Sequence, residues 1–274
     1  MIKLYVLWSI IYFPIIIYNT LKSNNSILYS FVEYLKKFIF VGSYTHLWYI
    51  NALIISVAII SFLLYKKISP LKILFFSFAL YIIGLFGNSW FSFLLPIKEK
   101  MPTIWSILGI MKDVMNTTRN GIFFGFFFVS LGMSFAHYGN RVSKKRAIIG
   151  FSFSMLFLGG EILFLRYNHL PTLGDDMFFF LFPATYFFFS YFEQLALFGD
   201  DDKYIKLRAM SSLVFFTHLW IAFLFDVITK VFYMSIKIKG IKYLFVVFIT
   251  IIISNRIYWL SMKDRYKFLR KLYK

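Results

Sequence analysis

Ala147 to Leu165 reads AIIGFSFSMLFLGGEILFL, nineteen residues in which Glu161 is the single charge. As a helix rising 1.5 Å per residue it covers about 28 Å, close to the roughly 30 Å hydrocarbon core of a bilayer. Lys144, Lys145 and Arg146 stand just before it and Arg166 just after. An apolar run of this length with basic flanks is the pattern of a transmembrane helix.

Reading outward in both directions, similar runs recur along the chain. They are Leu4–Thr20, Leu47–Tyr65, Leu71–Trp90, Gly121–Ala136, Met177–Leu195, Leu207–Phe225 and Tyr243–Ser261, which together with Ala147–Leu165 predict eight spans. Composition agrees. Of 274 residues 60% are hydrophobic, 23% aromatic and only 15% charged, and mean hydropathy is +0.72, whereas a soluble domain is nearer half apolar and a quarter charged. The expected fold is an all-α, polytopic transmembrane bundle, with residues 1–274 forming one integral membrane domain. Ile27–Phe40, with Glu33, Lys36 and Lys37, and Val227–Ile238, with Lys230 and Lys237, are amphipathic and read as interfacial segments.

The net charge of +18 is assigned to loops and lipid headgroups, and no nucleic-acid partner is expected. Lys66, Lys67 and Lys72 share one loop, Arg141 and Lys144–Arg146 a second, and Lys203, Lys206 and Arg208 a third, while the tail from Lys263 to Lys274 is strongly basic. Eight spans put all four on one side, which the positive-inside rule makes cytoplasmic, with both termini. Asp175, Asp176 and the loop from Phe91 to Asn120 then face outward. Lys98, Lys100, Lys237, Lys239 and Lys242 run against this bias. No small-residue cleavage site follows the first span, so it reads as an ordinary helix and not as a signal peptide. The expected location is a bacterial cytoplasmic membrane, with the lipid bilayer as partner.

The chain has no cysteine, which excludes disulfides, thiolate metal sites and a cysteine nucleophile. His46, His137, His169 and His218 are widely spaced, without metal-ligand spacing, so no metal is expected. Phosphate-binding loops and the G-x-S-x-G elbow are absent from the sequence.

Polar groups at membrane depth are costly and so become site candidates. His46 and Trp48 open the second predicted span, Asn88 and Trp90 close the third, and Arg119 and Asn120 precede the fourth. Glu161 lies in the fifth and His218 in the seventh. All fall toward the outward side, as the lining of a polar cavity would. Each also has a plainer reading. Trp48 and Trp90 fit an interfacial belt, His46 an interfacial histidine, Arg119 a snorkelling cation and His218 a buried helix–helix hydrogen bond. Glu161 must be paired, protonated or solvated, with Arg119 and Arg166 as the expected partners. His137 reads as structural and His169 as solvated.

These residues carry a family resemblance. Thr45-His46-Leu47-Trp48-Tyr49 with Ala52-Leu53-Ile54 is similar to the H-L-W-F/Y-x-P-A-L-I signature of the family-three membrane acyltransferases, Asn51 standing at the usual proline. Thr118-Arg119-Asn120-Gly121-Ile122-Phe123-Phe124 resembles their T-R-N-G-I/L-F-F, and Gly87-Asn88-Ser89-Trp90 their G-D/N-S-W. Leu4–Tyr12 resembles their third span, and Thr217-His218-Leu219 stands where the family has a late-helix histidine. Within the family the likeness is greatest to the membrane half of the vancomycin-resistance serine racemases. The resemblance implies transfer of an acetyl group from cytoplasmic acetyl-CoA to a hydroxyl of an extracytoplasmic glycan or similar acceptor. The family's base is a histidine on its first helix. That helix would precede Leu4, so this chain would lack the first two family helices, and a partner chain would have to supply them. His46 or His218, assisted by Glu161, are the alternative bases, with Arg119, Asn120, Trp48, Asn88 and Trp90 binding substrate. Two other readings stay open: a non-enzymatic module that binds or imports a small polar solute such as serine, and an inactive, truncated family member.

Overall fold

The computed structural model describes residues 1–22, 26–103, 105–106, 109, 117–140, 142–195, 202–232 and 239–274. Among these are ten α-helices: α1 (Ile2–Lys22), α2 (Ile27–Lys36), α3 (Trp48–Tyr65), α4 (Pro70–Phe86), α5 (Leu95–Lys100), α6 (Phe126–Tyr138), α7 (Lys144–Tyr167), α8 (Leu181–Glu193), α9 (Asp202–Val231) and α10 (Lys239–Ser261). A π-helical turn, Gly121–Gly125, opens α6, and a 3-10 stretch, Asp264–Leu272, follows α10. Arg141, part of the loop from Phe91 to Asn120, and the end of Val227–Ile238 with Lys237 lie outside the described residues.

Among the described residues six helices are long and apolar enough to cross a membrane: Ile2–Leu21, Trp48–Tyr65, Gly121–Tyr138, Lys144–Tyr167, Tyr204–Val231 and Gly240–Ser261. The chain is therefore a multi-pass α-helical membrane protein. The other two expected spans come out short. Leu71–Trp90 becomes α4, 17 residues, and Met177–Leu195 becomes α8, 13 residues, or about 25 Å and about 20 Å of helix. Both are cut back where residues near Asn88 and Met177 hold each other's backbone, as described below. Val227–Val231 continues α9 and is no separate interfacial segment.

The contacts divide the chain into two compact units, Met1–Asn24 with Leu197–Lys274, and Asn25–Ala196. In the first, α1 packs with α9 and the 3-10 stretch through large aromatics whose polar ends find backbone carbonyls, and α10 packs on α9. Trp8 stacks on Phe216 at 4.8 Å and donates its indole N–H to Leu272 O at 3.0 Å. The Tyr12 hydroxyl donates to Phe216 O at 2.7 Å. Apolar rings fill the interior, and the polar ends of Trp8 and Tyr12 are satisfied.

In the second unit α4, the π turn and α6 share a core of Tyr81, Leu85, Phe123 and Phe127 with Met177, and α3, α4 and α6 meet at Ile60, Ile73 and Phe126. Small residues let the backbones approach, as membrane helix packing requires. A Cβ on Gly121 would sit 2.5 Å from Ile55 Cβ, and one on Gly125 would sit 2.5 Å from Ser56 Oγ. Ser56 Oγ lies 2.6 Å from Ala52 O and 2.8 Å from Gly121 O, so its hydroxyl proton bridges α3 to the π turn.

Candidate functional site

All the candidate residues except His218 fall in the second unit. They form two groups with different chemistry.

The first group centres on Glu161 of α7. Its Oε1 accepts the indole N–H of Trp90 at 2.7 Å and the backbone N–H of Phe179 at 2.9 Å, and its Oε2 accepts the N–H of Phe180 at 3.1 Å. Phe180 is the residue before α8 begins. The carboxylate thus occupies the N-terminus of α8, where free N–H groups and the helix dipole favour an anion. Arg119 and Arg166 are not its partners, contrary to the sequence-based expectation. Arg166 is exposed, and five residues along a helix turn it about 140° away from Glu161. Of the true partners, Trp90 is a candidate in the sequence, whereas Phe179 and Phe180 carry no signal there, because any residue can offer a backbone N–H.

Asn88 does related work two residues past the end of α4. It is 1% exposed. Its Oδ1 accepts the N–H groups of Asp176 at 3.2 Å and Met177 at 3.1 Å, and its carbonyl accepts that of Leu173 at 3.0 Å. Ser89 donates its hydroxyl to Met177 O, and the Tyr81 hydroxyl donates to Phe178 O at 2.6 Å. The non-helical run from Leu173 to Phe180 is therefore held by side chains of α4, α7 and the turn between α4 and Phe91. Asn120 works locally: its Oδ1 accepts the N–H groups of Ile122 and Phe123 at 2.9 and 3.1 Å and caps the π turn.

The second group is more accessible. Arg119 donates from Nη1 to Asp176 Oδ1 at 2.6 Å, with the two side chains 26% and 39% exposed. The guanidinium also lies 4.7 Å from the Trp48 ring, in cation–π range. Trp48 rests edge-on against Phe124 at 5.6 Å. The two motif segments around Trp48 and Arg119, far apart in sequence, thus meet. Asp176 is the residue that sequence reasoning missed; its only signal is an acidic pair in a loop. His46 is buried, edge-on to Tyr44 at 6.0 Å. Burial pushes the Tyr44 phenol above its ordinary value.

His218, on α9 in the first unit, is bound to its own helix. Its Nδ1 lies 3.1 Å from Val214 O and 2.8 Å from Phe215 O. Carbonyls only accept, so Nδ1 carries the proton. Among the described residues no three His, Asp or Glu side chains converge as a metal site would require.

Next to Glu161 lies a cavity of about 600 Å³. Phe86, Trp90, Phe157, Phe164 and Phe180 form its apolar walls, and Glu161 is the charged group in them.

The chain is thus a multi-pass helical membrane protein that carries a half-exposed cluster of Arg119, Asp176 and Trp48 beside a backbone-bonded carboxylate. Comparison with known proteins finds similarity to an amino-acid racemase of Enterococcus faecalis, 32% identical over 182 residues, covering 66% of this chain and 24% of that protein. A second amino-acid racemase of the same organism is 30% identical over 187 residues, covering 66% and 24%. A serine/alanine racemase of Enterococcus gallinarum is 29% identical over 189 residues, covering 68% and 25%. The chain is a distant homologue of part of these proteins and spans about a quarter of their length. No protein-family model matches the chain, and no solved structure matches it.

Proposed function

We propose that this chain is an acyltransferase-like protein of a bacterial cytoplasmic membrane. In this reading it passes an acetyl group from cytoplasmic acetyl-CoA to a hydroxyl of an extracytoplasmic glycan or similar acceptor. The supporting observation is the packing of Arg119 against Trp48 and Asp176, which joins the T-H-L-W-Y and T-R-N-G segments in one accessible cluster. Transfer forms an ester C–O bond and breaks the thioester C–S bond. A base takes the acceptor's hydroxyl proton and the departing CoA thiolate takes up a proton. His46, carried by the same segment as Trp48, is the base in this proposal, and Arg119 holds the developing oxyanion or an anionic group of the substrate. Asn88, Trp90, Asn120 and Glu161 act as positioning residues, because their polar atoms are engaged with backbone and with each other.

The test is purified protein in nanodiscs with acetyl-CoA and glycan acceptors, following thiol release and acceptor acetylation. His46→Ala and Arg119→Ala should each lower turnover at least about a hundredfold. Turnover unaltered by both substitutions would sink the assignment.

A second reading has its own support. Arg119 and Asp176 present one cation and one anion, as a zwitterionic solute requires, and the relatives are named as racemases of amino acids. Saturable binding of labelled serine, indifferent to acetyl-CoA and lost in Arg119→Ala, would favour a solute-binding module over acyl transfer.

A further inference from the structure

We infer that the basic segment after α10, Lys263–Lys274, is a preformed docking surface for the headgroups of anionic phospholipids. It belongs wholly to the first unit and shares no residue with the Arg119 cluster.

The depth of the segment follows from its hydrogen bonds. α10 supplies the span Gly240–Ser261, so Ser261 stands at the edge of the hydrocarbon layer. From there the chain turns back onto the helices. Leu272 O accepts the Trp8 indole N–H at 3.0 Å, and Trp8 belongs to the span Ile2–Leu21. Arg270 Nε donates to Ser261 O at 3.0 Å, and the Ser261 and Tyr273 hydroxyls lie 2.8 Å apart. Tyr273 is buried with Ala209 and Leu213 of α9. The segment is thus fastened to three spans at the membrane boundary.

The partner follows from what the segment presents. It carries Lys263, Arg265, Lys267, Arg270, Lys271 and Lys274 against one acid, Asp264. That acid is already paired with Lys267 at 2.6 Å. Past a kink at Tyr266, residues three apart on the 3-10 stretch stand in columns. Leu269 and Leu272 form a partly buried column, Leu272 against the Ala209 cluster. Phe268, 62% exposed, and Lys271, also exposed, form an outer one. Met262 and Trp259 just before the segment are exposed too, and Lys263 Nζ lies 4.2 Å from the Trp259 ring centroid. A charge run facing water gains nothing from large apolar side chains set among its cations. An interfacial element does, with rings at the acyl boundary and amines at the phosphates. The cations favour anionic over zwitterionic headgroups. Because the segment is fastened before lipid arrives, binding costs little ordering entropy.

The experiment uses the full chain in neutral detergent and native mass spectrometry to follow bound lipid, comparing dioctanoyl phosphatidylglycerol with dioctanoyl phosphatidylcholine. Phosphatidylglycerol should bind at least about tenfold more tightly, the difference should shrink as salt rises, and glycerol phosphate should not displace it. In nanodiscs, a diazirine-bearing phosphatidylglycerol should label peptides within Trp259–Lys274. Arg265→Gln, Lys267→Gln and Lys271→Gln combined should lower affinity for phosphatidylglycerol about tenfold and leave phosphatidylcholine unchanged. Lys66→Gln, Lys67→Gln and Lys72→Gln combined remove the same charge from exposed positions between and at the ends of α3 and α4, and should leave both lipids unchanged. Phe268→Asn should weaken both lipids alike. If the Arg265, Lys267 and Lys271 variant fails to fold, Lys271→Glu alone decides. Equal affinity for the two lipids, displacement by glycerol phosphate, or an equal loss in the Lys66, Lys67 and Lys72 variant would each overturn the proposal.

Discussion

Glu161 and Arg119 are both charges in the second unit, yet their surroundings differ in kind. Glu161 spends its acceptors on the backbone of another segment and on an indole. Arg119 faces a side chain, Asp176, that is itself 39% exposed. A charge bonded to backbone N–H groups in an apolar setting shapes the fold, because removing it leaves donors that nothing else can satisfy. A charge in a half-exposed pair costs little to separate and can exchange its partner for a ligand. The contrast can be broken by mutation.

The largest effect is expected at Glu161. Glu161→Ala orphans the Trp90 indole and two backbone N–H groups, at about 1–3 kcal/mol each and not strictly additive. The purified protein should lose several degrees of melting temperature or fail to accumulate, with Glu161→Gln less severe. Asn88→Leu comes next, since it strands the N–H groups of Asp176 and Met177. It should cost about 2–4 kcal/mol, read by thermal unfolding in detergent. Gly121→Val follows, because its Cβ would overlap Ile55. A penalty of about 1–3 kcal/mol from overpacking is expected, checked by the same assay and by loss of monodispersity. Smallest for stability is Arg119→Ala, at most about 1 kcal/mol, although it should have the largest effect on substrate turnover or solute binding. A melting temperature that falls as far in Arg119→Ala as in Glu161→Ala would erase the distinction.

The same contrast explains what the sequence could reveal. Spans such as α7 and α10 are legible because hydropathy alone sets them: a long apolar run needs a bilayer. The ends of α4 and α8 are not, because they depend on Asn88 and Glu161 meeting a backbone distant in sequence. The cost of an intramembrane carboxylate marked Glu161 as a candidate, but an arginine partner was only the most familiar way of meeting that cost. The Trp48–Arg119 contact was foreshadowed by motif resemblance, which groups segments without giving their geometry. Asp176 had no comparable marker.

The clasp on α8 also bears on the bilayer itself. A helix of 13 residues is about 10 Å shorter than the hydrocarbon layer, and a mismatch of that size ordinarily deforms the surrounding lipid, at a fraction of a kcal/mol per Å. Here the N–H groups of Phe179 and Phe180, which lead into α8, are received by a carboxylate of α7, and those of Leu181 and Phe182 by the carbonyls of Phe178 and Phe179, so that end of the helix needs no water. It can begin below the headgroups, level with Glu161, which is six residues, or about 9 Å, short of the end of α7. The neighbouring lipids can then keep their full chain length. The elastic strain that so short a segment would place on the membrane would then be taken up inside the protein.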